Sequence, residues 1–198
     1  ASGSNSLGIG RSANAAGYQS GVVGYSADAT ASRSFALGHS SISNIIGKYA
    51  YAGGFVAALG DSQTGTFVLR KGTTDATPAA LSTDSVNATA GADDQIILPN
   101  NSAFGFSGTI IARQQTADGS NYASWEVKGA LLRDANAAST VLGNGIINKL
   151  YATAGAAAWA IALTADTTNG GLKIEATGAA ATDIRWVATV NTSEVTYA

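Results

Sequence analysis

The sequence predicts an all-β chain in two parts, an N-terminal parallel β-roll over residues 1–46 and an antiparallel β-sandwich head over residues 47–198. Three observations predict it. Glycine returns every seventh residue at the start of the chain, apolar residues alternate with period two through the rest, and no stretch carries a convincing 3.6-residue period.

The repeat comes first. Glycine stands at Gly3, Gly10, Gly17 and Gly24, lapses to Ala31 and resumes at Gly38. Within each unit one position is always small or apolar (Gly8, Ala15, Val22, Ala29, Ala36, Ser43), and another is mostly polar (Asn5, Ser12, Gln19, Ser26, Arg33, Ser40). A coiled-coil heptad asks for large aliphatics at two positions and charges beside them. Here the only charged side chains before residue 47 are Arg11, Asp28 and Arg33. Each glycine inside a helix would cost about 1 kcal/mol. Short strands joined by tight turns fit instead, with glycine where φ is positive or a neighbouring coil approaches closely. One coil buries too little to stand alone, so stacking and other chains must complete it.

The composition shifts after residue 46, where all three tryptophans lie. Gly60–Arg70 reads as a turn and a strand, while Thr73–Asp94 is polar and turn-rich and is expected to run over the surface or cross to a neighbouring subunit; residues 47–94 could serve as a connector. Phe104–Gln115 and Tyr122–Arg133 alternate on either side of Asp118-Gly119, a strong hairpin signal. Asn144-Gly145 and Asn169-Gly170 read as further turns. Trp125, Val127, Gly129 and Leu131 share one face, with Glu126 and Lys128 opposite; Trp159 with Ile161 and Leu163, and Ile184 with Trp186 and Ala188, repeat the pattern. All three tryptophans read as core. Short strands with frequent turns suit a sandwich of jelly-roll type.

The chemistry available is narrow. Cysteine is absent and His39 is the lone histidine, so thiolate catalysis and a histidine-rich metal site are excluded, and no metal or cofactor is expected. Charged residues make up 12% with a net charge of −2, which offers nothing to nucleic acid. No apolar run reaches membrane-spanning length, so no membrane insertion is expected. The chain lacks methionine even at position 1 and is expected to be a processed or partial product. A glycosidase needs two carboxylates held together. Asp93 and Asp94 are adjacent and would point to opposite faces of a strand, and the other acids are scattered singly, so the chain is expected not to be an enzyme. His39 reads as a surface residue beside a turn, with a ligand ring at a trimer axis as the functional alternative. Asn87-Ala88-Thr89 and Asn191-Thr192-Ser193 match the glycosylation pattern, which supports no conclusion here.

Ala15-Ala16-Gly17-Tyr18-Gln19-Ser20 and Phe35-Ala36-Leu37-Gly38-His39-Ser40 resemble the head repeats of YadA-type trimeric autotransporter adhesins, a module also found in bacteriophage tail fibres. That resemblance implies a left-handed parallel β-roll in a homotrimer. It departs at Ala31 and dissolves after Ile42. Gly60-Asp61-Ser62-Gln63, Ile111-Ala112-Arg113, Gly178-Ala179-Ala180 and Ile184-Arg185-Trp186-Val187-Ala188 resemble the terminal domain of many phage tail fibres. Together these imply an extracellular, virion-borne tail fibre that attaches to a bacterial surface glycan or protein and joins other tail proteins upstream. A fragment of a bacterial trimeric adhesin, or a purely structural filament protein, are the alternatives. Receptor contact would use exposed aromatic, amide and hydroxyl groups on a loop held by a rigid scaffold. Ser120, Asn121 and Tyr122 are the residues of this type singled out as receptor-binding.

Overall fold

A computed structural model describes residues 1–84, 89–116 and 120–197. The repeat folds into a β-solenoid of about three turns. Its strands alternate between two faces in chain order: β1 (Leu7–Ile9), β2 (Asn14–Ala15), β3 (Gly21–Tyr25), β4 (Asp28–Ala29), β5 (Phe35–His39), β6 (Ile42–Ser43) and β7 (Tyr49–Gly53). The odd-numbered strands form one parallel sheet and the even-numbered strands another. Leu7 lies beside Gly21, Gly21 beside Phe35 and Phe35 beside Tyr49, so a full coil takes fourteen residues and the seven-residue repeat is half a coil.

The repeat positions explain themselves in this frame. The small column Ala15, Val22, Ala29 and Ala36 is fully buried, filling an interior too narrow for larger side chains. Glycine has two duties. At Gly24 the backbone has φ +149° and a Cβ would strike the Gly38 carbonyl, whereas at Gly17 only close approach forbids a side chain, from the Ala31 carbonyl. The polar position carries a feature the sequence did not announce. Asn5, Ser12, Gln19, Ser26, Arg33 and Ser40 all adopt left-handed φ values between 51° and 69°. A side chain there must tolerate a conformation that β-branched residues avoid, hence the run of Asn, Ser, Gln and Arg.

The long solenoid sheet does not end at β7. It passes into β8 (Ser62–Thr73), which pairs antiparallel with β7 through Tyr49–Thr66, Ala50–Gly65 and Tyr51–Thr64. Beyond it come β16 (Ile184–Thr196), β11 (Ser102–Gln114), β12 (Tyr122–Arg133) and β13 (Val141–Ala152), completing one nine-stranded sheet. A second sheet of β9 (Ala79–Ala80), β10 (Ile96–Ile97), β15 (Gly171–Thr177) and β14 (Ala160–Asp166) contributes to the same apolar core. Three tryptophans centre that core, with Trp186 at 5.5 Å from Trp125 and 5.8 Å from Trp159, ring centre to ring centre. The Trp186 indole N–H donates to Thr73 Oγ1 at 2.9 Å, so burying it leaves no polar group unmatched.

Three expectations need correction. Asn144-Gly145 is no turn: it lies within β13, where Gly145 and Asn144 pair with Gly129 and Ala130 of β12. An Asn-Gly step makes a hairpin only when its two flanks pair with each other, and here both flanks pair with a third strand. The stretch Thr73–Asp94, where described, does not wander. β9 adds to β15, Leu81 is buried, and the Arg70 guanidinium donates to the Thr83 and Asp84 carbonyls at 2.9 and 2.7 Å. Trp159 stands just ahead of β14, after a single 3-10 turn at Ala154–Ala156, and is buried all the same. The Asn169-Gly170 turn does join β14 to β15, with Gly170 at φ +84°. Asp118-Gly119 and Asn87-Ala88 lie outside the described residues.

Candidate functional site

Two tyrosines meet on the outward face of the large sheet. Tyr122 opens β12 and Tyr151 lies near the end of β13; their rings stack at 5.1 Å and 28°, and they stay 42% and 51% exposed. A register shift makes the pairing. Ser124 faces Tyr151 but Trp125 faces Lys149, so Leu150 is an extra residue in β13. Without that bulge Tyr151 would point to the core side, because neighbouring residues of a strand alternate faces.

The strand ends beneath the pair are fastened by Asn121. Its amide Nδ2 donates to Gln114 Oε1 at 2.9 Å, its Oδ1 accepts from Thr153 Oγ1 at 3.1 Å, and its carbonyl accepts from the Gln114 N–H at 2.9 Å. Thr153 and Tyr122 then exchange hydrogen bonds, ring position following from the backbone. The end of β13 has a second anchor, since Lys149 Nζ donates to the Ala157 and Trp159 carbonyls at 2.8 and 2.6 Å and lies 5.6 Å from the centre of the Trp125 ring. The Tyr151 hydroxyl, with a smaller contribution from burial, holds the Tyr122 phenol above its ordinary pKa. The Tyr122 phenol is therefore neutral in the physiological range, and both rings present flat apolar surface with a polar edge.

Of the residues singled out in the sequence, Tyr122 belongs to this site and Ser120 is exposed beside it. Asn121 positions the site from below, its side chain occupied by Gln114 and Thr153. Tyr151 was missed because the Asn-Gly step of β13 hid a strand. The same face carries two arginines: Arg113 of β11 lies directly opposite Tyr122 on one side and Arg185 of β16 on the other. His39 instead packs edge-on against two rings, 5.0 Å from Tyr25 and 5.8 Å from Phe55. Among the described residues no three of His, Cys, Asp and Glu converge as a metal site.

A concavity of about 230 Å³ opens where the last solenoid coil meets β8 and β16 and is lined in part by Lys48, Asp61, Gln63 and Glu194. Asp61 is well braced: its carboxylate accepts from the backbone N–H groups of Val56, Ala57 and Ala58 at 2.9, 2.6 and 2.7 Å and from Ser62 Oγ at 3.0 Å. Those backbone donors, Ala58 foremost, hold its pKa at about 2.

No family model matches the chain, and no curated protein matches it. Among solved structures it is similar to a tailspike protein, gp49, from Acinetobacter baumannii bacteriophage Fri1, a capsular polysaccharide depolymerase, at 10% identity and a TM-score of 0.36 over 86% of this chain. It is also similar to the tailspike protein of Acinetobacter phage vB_ApiP_P1, at 11% identity and a TM-score of 0.31 over 96% of this chain. The chain spans 33% and 44% of the length of those two proteins. The expectation that the chain is not an enzyme is withdrawn, since a protein it is similar to is named a depolymerase. Carboxylates scattered along the chain can still converge, as Asp61 and Glu194 do on one concavity.

Proposed function

We propose that the chain is part of an extracellular phage tail protein that attaches to a bacterial surface polysaccharide, and that it acts as a homotrimer. The observation that carries attachment is the exposed Tyr122–Tyr151 stack, held on a sheet rather than on a loose loop. Aromatic faces of this kind pack against the C–H face of a sugar ring while nearby polar groups take its hydroxyls. In this reading the solenoid is a YadA-like roll, the repeat segment through residue 46 is the shaft, and the two sheets around the tryptophans over 47–198 are a β-sandwich head. Three copies present the same surface, and individually weak contacts combine by avidity.

The trimer reading rests on the outward face of the parallel sheet. The columns Leu7–Gly21–Phe35–Tyr49 and Ile9–Val23–Leu37–Tyr51 are apolar apart from glycine, and their end members are about half exposed. Such a patch on a lone chain marks an interaction surface.

The test is adsorption of the purified, labelled protein to host bacteria and to an array of their surface polysaccharides. Tyr151→Ala and Tyr122→Ala should each abolish most of the retained signal with secondary structure and mass unchanged. Retention equal to the parent protein would overturn the assignment.

A further inference from the structure

Arg113 and Arg185 are direct cross-strand partners on the outward face of β11 and β16. Like charges in that position repel and weaken a sheet. Both side chains are exposed, and among the described residues neither takes part in an ion pair. Among the described residues the one side-chain hydrogen bond of the pair is a long one, from Arg113 to the Gln114 carbonyl at 3.4 Å. The chain as a whole is acidic, so this is no part of a general basic surface. Two neighbouring cations that no ion pair neutralises among the described residues have no structural use that the fold reveals.

Their surroundings suit a ligand. On the far side of Arg185 the facing residue is Gly72, whose missing side chain leaves open space. The depression there, about 290 Å³, is lined by Arg185 with Thr73, Thr74, Gln115 and Asp183, a mixture of donors and acceptors. On the other side Arg113 faces Tyr122, which leads on to the Tyr151 ring. The row therefore reads, across the sheet, polar depression, two guanidinium groups, two stacked aromatic rings.

We propose that this row is the binding site for an acidic polysaccharide, one whose repeating sugars carry carboxylates. The inference rests on the attachment reading above and gives it a ligand class. Each guanidinium is a planar fork matched to a carboxylate. One sugar carboxylate lies between Arg113 and Arg185, the neighbouring ring stacks on Tyr122 and Tyr151, and hydroxyls on the other side meet Gln115, Thr74 and Asp183. Neutralising the two arginines also relieves their repulsion, so binding and sheet stability reinforce one another.

Calorimetric titration of the full chain with oligogalacturonate, with its fully methyl-esterified form and with inorganic phosphate tests this. The acid oligomer should bind at least about tenfold more tightly than the ester, as expected for charge-assisted hydrogen bonds. Arg113→Ala and Arg185→Ala should each remove that preference while the ester binds as before. Arg185→Lys, which keeps the charge but loses the fork, should lose most of it. The thermal midpoint of Arg185→Ala should stay level or rise. Equal affinity for acid and ester overturns the proposal and leaves attachment standing, and so does binding of neither oligomer, since attachment is judged by adsorption to host cells. Phosphate binding as tight as the oligomer overturns the saccharide assignment. A lowered midpoint in Arg185→Ala assigns the arginine a structural role and overturns it as well.

Discussion

Lys48 Nζ and Glu194 Oε2 form an ion pair at 2.7 Å with side chains only 3% and 2% exposed, joining the last coil of the solenoid to the last strand of the chain. Its place in the repeat is informative. The equivalent residues of the earlier coils are Ser6, Ser20 and Ser34, each donating its hydroxyl to the carbonyl three residues back, at Gly3, Gly17 and Ala31. At position 48 the serine is replaced by lysine, and the side chain leaves the coil to reach β16. Glu194 also accepts from Gln63 Nε2 and Thr192 Oγ1, both at 2.7 Å. Burial alone pushes the Lys48 amine below its ordinary pKa, and Glu194 counters it.

Removing one partner strands a buried charge, so Lys48→Met and Glu194→Gln should each lower unfolding free energy by about 3–5 kcal/mol. The double variant should cost clearly less than the sum, since no charge is left unpaired. Urea denaturation of the four proteins in a double-mutant cycle checks it; additive losses would mean the pair is not coupled.

Acid should weaken the fold through Asp61 and Asp166. For Asp61 the cause is the cradle of backbone N–H groups. For Asp166 burial pulls upward but is outweighed by hydrogen bonds from Asn169, Gln95 and Thr168, and the pKa again settles at about 2. Both folded values lie below the ordinary 3.8. The stabilisation is therefore complete above the unfolded pKa and disappears as pH falls from about 4 through about 2. Thermal midpoints across that range should drop steeply for the parent protein and less steeply for Asp61→Asn, which starts lower at neutral pH. Parallel curves would show that Asp61 is not responsible.

Gly24 and Gly53 offer a paired test of the glycine column. Alanine at Gly24 meets the Gly38 carbonyl with the backbone at φ +149°, while a Cβ at Gly53 meets nothing within 4 Å. Gly24→Ala should cost about 1–3 kcal/mol and Gly53→Ala close to none. Chemical denaturation reads both, and equal losses would disprove the stacking role of the column.

Light scattering addresses the trimer. The parent should give three times the 19.7 kDa chain mass, and Ile9→Asp or Tyr51→Asp, each on the apolar outward face, should shift it toward a single chain with the β-sheet spectrum retained. A monomeric parent would remove the trimer from the proposal.

The sequence makes some of this legible and hides the rest for identifiable reasons. Period-two alternation at Trp125–Leu131 and Ile184–Val190 marks strands with one buried face, and both are strands with that face buried. The seven-residue glycine rhythm reveals stacked coils because close backbone approach at Gly3, Gly10, Gly17, Gly24 and Gly38 leaves no room for a side chain. It cannot show that two units make one coil, since both half-coils obey the same steric rule. The tyrosine pair is illegible for a different reason. It depends on one bulge at Leu150, and nothing in local composition marks an extra residue in a strand. The arginine pair depends on register between β11 and β16, segments far apart in the chain.

The single sheet running from β1 to β13 has a mechanical consequence. A solenoid and a set of long strands joined by a linker would swivel, and load would pass through one covalent strand of peptide. Here the β7–β8 ladder and the Lys48–Glu194 clasp join them side by side, so a pull on one is shared by several bonds at once.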